Sequence, residues 1–179
     1  VFQLCGNLGA PYNYRPDQCT MEIARRLNAQ GINLYAPLVM STEELAASIR
    51  AEPVIAEQLE AIRHCDLALY SVGSVDEDSH IVRCGAVSVD ELATLGAQGA
   101  VGVIAGQLID ASGQLVDCVY NRRLISADLS AIRAIPKRMM VVAEDHKFEA
   151  LVAAIRGGYV SHLVISAAMG RRLLEHWDA

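Results

Sequence analysis

Short apolar runs alternate along this chain with longer stretches whose apolar side chains recur at helical spacing. The runs Val1–Cys5, Ile32–Met40, Asp66–Gly73, Arg138–Ala143 and His162–Ser166 predict strands. Asp66–Gly73 is nearly continuous in apolar residues and ends in glycine, as expected for a parallel strand covered on both faces. Pro16 opens a predicted helix that runs through Gln30, with Ile23 and Leu27 inward and Gly31 as its stop. Ser41-Thr42-Glu43-Glu44 has the capping-box pattern and opens a helix with Leu45 and Ile49 inward. Pro53 restarts a helix through about His64, and Ser88-Val89-Asp90-Glu91 is a second capping box whose short helix ends near Gly96 to Gly99. Leu129–Ile135 is a helical turn before Pro136. His146–Arg156, stopped by Gly157-Gly158, and Ala167–His176 complete the helices.

This alternation predicts an α/β fold: a three-layer, mostly parallel sheet with helices on both faces. The middle of the chain differs. Ala100–Ile109, the turn Asp110-Ala111-Ser112-Gly113 and Gln114–Tyr120 read as a β-hairpin inserted into that plan. Gly6–Arg15 and Ser74–Val87 read as polar loops. No repeat or linker interrupts the pattern, so residues 1–179 are expected to form a single domain.

Composition narrows the functional classes. Apolar residues make up 53% of the chain and charged residues 20%, as in a folded globular protein. The net charge of -6 argues against this segment gripping nucleic acid by itself. No apolar run is long enough to span a membrane, and no basic leader with an apolar core is visible. The five cysteines are widely spaced, with no C-x-x-C, which disfavours a zinc site or a disulfide framework and fits a reducing cytoplasm. The five histidines form no H-x-x-x-H pair, so no metal is expected, and no cofactor is expected either. The chain opens directly on a buried-strand pattern without an initiator methionine, which implies a fragment of a longer protein.

Four predicted strand ends carry glycine or polar residues: Gly6-Asn7-Leu8-Gly9, Gly73-Ser74, Gly106-Gln107 with Asp110, and Glu144–Lys147. Ligands bind at the carboxyl edge of α/β sheets, where glycines let backbone N–H groups approach an anion. Lys147 stands out. With Asp145 as the helix cap, Lys147 falls in the first turn, where a cation opposes the helix dipole. An anionic ligand would compensate it; the alternative is a solvated lysine in an imperfect turn. Arg15 is either a bidentate phosphate clamp or a surface arginine ahead of a helix. Asp110 either binds a sugar hydroxyl or stabilises its own glycine turn. Glu144 and Asp145 are adjacent and diverge, so they make no obvious catalytic pair, and Ser71-Val72-Gly73-Ser74 does not match a nucleophile elbow.

Taken in order, the segments Gln3–Gly9, Leu34–Pro37, Asp66–Ser74, Leu92–Gly102, Asp110–Gly113, His146–Ala150 and Ala154–Gly158 resemble the effector-binding domain of SorC/DeoR-type sugar-binding bacterial transcriptional regulators. The resemblance implies a fold like that of glucosamine-6-phosphate deaminase, ribose-5-phosphate isomerase and the CoA transferases. It implies a phosphorylated-sugar effector and a homo-oligomer, usually a tetramer. It also implies that a DNA-binding helix-turn-helix and the first part of the effector domain lie outside this chain. Carried over by motif, Gly6, Asn7 and Gly9 would run along the sugar phosphate; Gly73, at its strand end, and Arg15 are candidate ligand contacts from the residues themselves. Gln107 and Asp110 would face the sugar, Lys147 would reach its hydroxyl or phosphate end, and Arg83 would be a second anion partner. Two departures bear on which sugar binds: Ala143-Glu144-Asp145 stands where the family often has glycines, and Ser166 where it often has Asp. The expected function is ligand sensing without turnover. The alternatives are a sugar-phosphate isomerase or deaminase with Glu144 or Asp110 as base, and an oligomerisation module with a vestigial pocket.

Overall fold

In the computed structural model, which describes residues 1–8 and 15–178, helices and strands alternate along most of the chain. The first elements are α1 (Pro16–Arg26), α2 (Glu43–Ala51), α3 (Pro53–Ile62), β1 (Leu67–Tyr70), β2 (Gly73–Ser74), α4 (His80–Arg83) and α5 (Val89–Ala97). They are followed by β3 (Gly102–Ile104), β4 (Gln107–Ile109), α6 (Val119–Arg122), α7 (Leu129–Ala134) and β5 (Lys137–Val142). A 3-10 turn at Asp145–Lys147 leads into α8 (Phe148–Arg156), then β6 (His162–Ile165) and α9 (Ala167–Asp178). The α/β class with a parallel sheet, expected from the alternation, is the observed one.

The parallel sheet has the order β1-β5-β6, with Tyr70 opposite Met140 and Val142 opposite Ile165. A second, antiparallel sheet has the order β2-β3-β4. Between them lies α8, whose Phe148 and Ala150–Ala154 are all buried. A helix apolar nearly all round needs cover on all sides. One side meets the core that includes Met140, Val142, Ile132 and Ile135. The other meets β3, where a Cβ on Gly102 would lie 3.1 Å from the Ala150 Cβ. Each fully buried Leu or Ile in this core contributes roughly 1.5–3 kcal/mol. The sheet's opposite face is open: Leu67, Leu69, Val141 and Val164 are each 40–50% exposed. Strand alternation places these four on the side away from Ala68, Met140 and Val142.

Several local expectations give way to identifiable chemistry. Val1–Cys5 and Ile32–Met40 form no continuous ladder: the isolated bridge of Phe2 to Ile32 joins them, and a second, Asn7 to Pro37, follows just beyond Cys5. Pro37 brings no N–H to such a ladder. Buried Gln3 takes over part of the pairing: its Oε1 accepts from Leu34 N–H, and its Nε2 donates to Cys5 O at 2.6 Å. α1 stops short of Gln30 because Asn28 adopts φ 49°, with Ala29 N–H bonded back to Ala24 O. Thr20 and Ala24 face inward, while Leu27 is exposed. In α2, Thr42 supplies the cap, accepting from Leu45 N–H, and Ala46 is the buried residue rather than Leu45. The capping box of Ser88 and Glu91 has both of its hydrogen bonds. The predicted strand Ala100–Ile109 is itself a hairpin. Ala105 and Gly106, with φ 48° and 85°, form a two-residue turn matched to strand twist. Gln114–Tyr120 adds only the bridge of Leu115 to Ile109 before α6 begins. Asp145 caps nothing through its side chain, and Lys147 itself is the N-cap residue of α8.

Candidate functional site

The carboxyl end of β1 runs into Ser71-Val72-Gly73, and the carboxyl end of β5 runs into the 3-10 turn that carries Lys147. Both edges border one cavity of about 320 Å³. Leu4, Cys5 and Leu8 line it from the N-terminal segment, and Ser79, His80 and Ile81 from the start of α4. The β3–β4 turn contributes Ala105 and Gly106, and Leu38, Val103 and Pro16 complete the apolar wall. A small-molecule site of this kind is mostly apolar with a few placed polar groups. Here those groups are Lys147, His80, Ser71 and Ser79, and Lys147 is the one formal cation among the described lining residues.

Two neighbours set the charge state of this corner. Lys147 Nζ lies 2.9 Å from Glu144 Oε1, and its side chain is 19% exposed against 49% for Glu144. The other Glu144 oxygen accepts from Ala143 N–H at 3.2 Å. The Lys147 hydrogen bond, more than the backbone N–H bonds beside it, holds the Glu144 carboxyl below its ordinary pKa. The lysine that the sequence suggested as uncompensated thus has a partner three residues upstream. Burial, then the Lys147 charge, then Arg83, pull the His80 pKa below its usual value, so its ring is neutral at pH 7. Burial, then the proximity of Cys84, pushes the Cys5 thiol up to about 11. A thiol so protonated is a poor nucleophile.

Of the expected ligand-binding residues, Gly73 and Lys147 are the ones among the described residues that line this cavity, joined by Leu8 and Gly106 from the glycine-bearing strand ends. Asn7 lines a separate cleft of about 580 Å³ with Arg123 and residues 37–41; Leu8 and Leu38 form the wall between the two spaces. Gly6 serves chain packing: a Cβ there would lie 2.5 Å from Pro37 O. Gly9 falls outside the described residues. Arg15 is turned to Asp17, in an exposed bidentate pair at 2.9 and 3.1 Å. Arg83 is exposed at the end of α4 and reaches the cavity only through its charge on His80. Buried Gln107 donates to Ala127 O at 2.9 Å, so its amide ties β4 to the chain before α7. Asp110 Oδ1 accepts from Ser112 N, Ser112 Oγ and Gln114 N, at 2.9, 2.6 and 2.9 Å. That turn packs on the far end of α8, where a Cβ on Gly113 would lie 2.4 Å from the Gly157 Cα. Asp110 is therefore a turn residue, and the turn it holds packs at the end of α8 opposite Lys147, a helix about 13 Å long.

His80 is the cavity residue that the pattern of the chain did not reveal. It lies in a stretch read as polar loop, and α4 is too short to show a period. Neither proposed general base stands free over the cavity, since Glu144 is held by Lys147 and Asp110 by its own turn. Among the described residues no helix is long and apolar enough to cross a membrane, and no group of three His, Cys, Asp or Glu could hold a metal ion.

Comparison with known proteins matches residues 1–175 to the family model Sugar-bind, a sugar-binding domain. The transcriptional regulator YjhU of Escherichia coli K12 is 27% identical over 174 residues, covering 97% of this chain and 53% of that protein. The transcriptional regulator LsrR of Escherichia coli O9:H4 is 37% identical over 144 residues, covering 78% of this chain and 45% of that protein. The chain thus spans about half the length of these curated relatives. Among solved structures, the full-length sorbitol operon regulator SorC from Klebsiella pneumoniae superposes with a TM-score of 0.89 at 20% identity, covering 97% of this chain and 57% of that one. The sugar-binding domain of a transcriptional repressor from Vibrio fischeri gives 0.87 at 24% identity, covering 99% of this chain and 69% of that one. At these identities the structural matches show a shared fold.

Proposed function

Because this chain belongs to the family of sugar-binding domains, we propose that it is the ligand-sensing domain of a cytoplasmic transcriptional regulator and that it binds a phosphorylated sugar in the Lys147 cavity. In this reading the DNA contacts belong to a helix-turn-helix segment outside these residues, in keeping with the net charge of -6 here. The ligand acts by differential affinity: it binds one arrangement of a homo-oligomer better than another and shifts the population toward it. The relatives YjhU and LsrR, both transcriptional regulators, support this assignment.

The observation that carries the reading is the placement of Lys147. Lys147 lines a cavity of small-ligand size, at the carboxyl edge of the parallel strands β1 and β5, among mostly apolar walls. The sugar ring would lie against Val72, Val103 and Leu38, and the phosphate at the ammonium. Thermal unfolding of the full-length regulator against ribose 5-phosphate, fructose 6-phosphate and glucosamine 6-phosphate tests this. A true effector at about a hundred times its Kd adds about 2.7 kcal/mol, which raises Tm by several degrees. Lys147→Met should abolish that shift. If no sugar phosphate shifts the midpoint, or if Lys147→Met responds as the parent does, the assignment fails.

A further inference from the structure

Glu144 has no role in the ligand reading above, yet it holds the group that defines the cavity. Its carboxylate sits 2.9 Å from Lys147 Nζ, across a 3-10 turn closed by Lys147 N–H to Glu144 O at 3.1 Å. The backbone therefore fixes the spacing of the two side chains, and no loop closure is needed to bring them together. The second carboxylate oxygen is tied to Ala143 N–H, which keeps Glu144 folded toward the lysine. Lys147 is the one formal cation among the described lining residues, and His80 is neutral at pH 7. The local charge at the cavity is thus cancelled before any ligand arrives.

Resting on that assignment of the cavity, we infer that Glu144 is a specificity-determining residue: an internal anion that occupies the Lys147 ammonium and must be displaced by a ligand phosphate. The consequence is a graded preference. An uncharged sugar makes its contacts with the apolar wall and leaves the pair in place. A phosphate monoester carries up to two negative charges and has three acceptor oxygens, enough to compete with a single carboxylate. It then meets the repulsion of the displaced Glu144, which stays within a few ångströms because it is only three residues away. Glu144 therefore lowers affinity for anions and leaves neutral sugars unaffected. Since Glu144 is half exposed, water supports its displacement, and the penalty has the size of a partly solvated ion pair, about threefold to fivefold in affinity.

Titration calorimetry on the full-length protein and its Glu144→Gln variant, with inorganic phosphate, ribose 5-phosphate and ribose, tests the inference. Glu144→Gln should bind inorganic phosphate and ribose 5-phosphate about threefold to fivefold more tightly and show a steeper salt dependence, with ribose unchanged. Glu144→Asp, which keeps the charge, should retain most of the penalty. Equal or weaker phosphate binding by Glu144→Gln overturns the inference while leaving the cavity assignment intact. Parallel weakening for ribose would mean that Glu144 holds the sugar itself, and also overturns it. If neither protein binds any of the three probes or another sugar phosphate, the cavity assignment fails and takes the Glu144 role with it.

Discussion

Lys147 and Asp110 stand at opposite ends of α8, and in the sequence both follow an apolar run and sit among turn residues. Their surroundings differ in one physical respect. Around Asp110 the hydrogen bonds close locally: one carboxylate oxygen serves Ser112 N, Ser112 Oγ and Gln114 N. The turn then seats Gly113 directly on Gly157, and Arg156 Nη1 donates to Ala111 O. Around Lys147 the hydrogen-bonded side-chain partner among the described residues is Glu144, half in water and exchangeable, and the lysine borders an open cavity. A polar residue whose hydrogen bonds are taken up by its own turn stabilises the fold. One whose partner can be exchanged is available to a ligand.

The contrast predicts that changes at the Asp110 end cost stability and spare binding, with the reverse at the Lys147 end. The largest effect is expected for Gly113→Ala. Gly113 has φ 79°, and its added Cβ would lie 2.4 Å from the Gly157 Cα and 2.5 Å from Ala153 O. Both atoms are backbone and cannot swing away, so overpacking and the left-handed strain together should cost about 3 kcal/mol in urea unfolding. A loss under 1 kcal/mol would mean that the turn does not bear on α8.

Asp110→Ala should cost less, about 1 kcal/mol, because the acceptor lost served partly exposed donors that water can satisfy. The Ser112 hydroxyl bond, followed by the backbone N–H bond from Gln114, holds the Asp110 carboxyl below its ordinary pKa. A depressed carboxylate contributes stability that is present above its unfolded pKa of about 3.9 and lost as pH falls through the folded value. Asp110→Ala should therefore differ from the parent at neutral pH and converge with it in acid. Equal differences at pH 7 and at about pH 2 would remove the carboxylate from the account. Sugar-phosphate binding by this variant should match the parent.

The same local-versus-distant distinction explains what could be read from the sequence. The strands of the parallel sheet, the capping box of Ser88 and Glu91 and the stop at Gly157-Gly158 are set by neighbours within a few residues, and they were legible. The behaviour of Gln3 was not, because it replaces strand pairing with a bond to Leu34 across thirty-one positions. Asn121 was likewise invisible: its amide bonds Leu108 N, Leu108 O and Val116 O, acting as a strand partner from a helical turn. The turn at Ala105-Gly106 hid inside an apolar run. The cavity draws its walls from segments scattered between Leu4 and Lys147, so residue type could point to Lys147 but not to His80, nor to the partition that puts Asn7 in another cleft.

The smallest effect on stability, under about 0.5 kcal/mol, is expected where the effect on ligand binding is greatest. Lys147→Met removes one partner of a pair whose other member is 49% exposed, a geometry that contributes about 0–1 kcal/mol. It also removes a cation from the N-terminal end of α8 and leaves Glu144 there, an exchange that the helix dipole favours by a few tenths of a kcal/mol. Methionine keeps the apolar stem against the cavity wall. These terms nearly cancel, so the urea midpoint should stay with the parent while the sugar-phosphate shift disappears. A large loss of stability in Lys147→Met would show that the lysine holds the fold as Asp110 does, and the difference between the two ends of α8 would collapse.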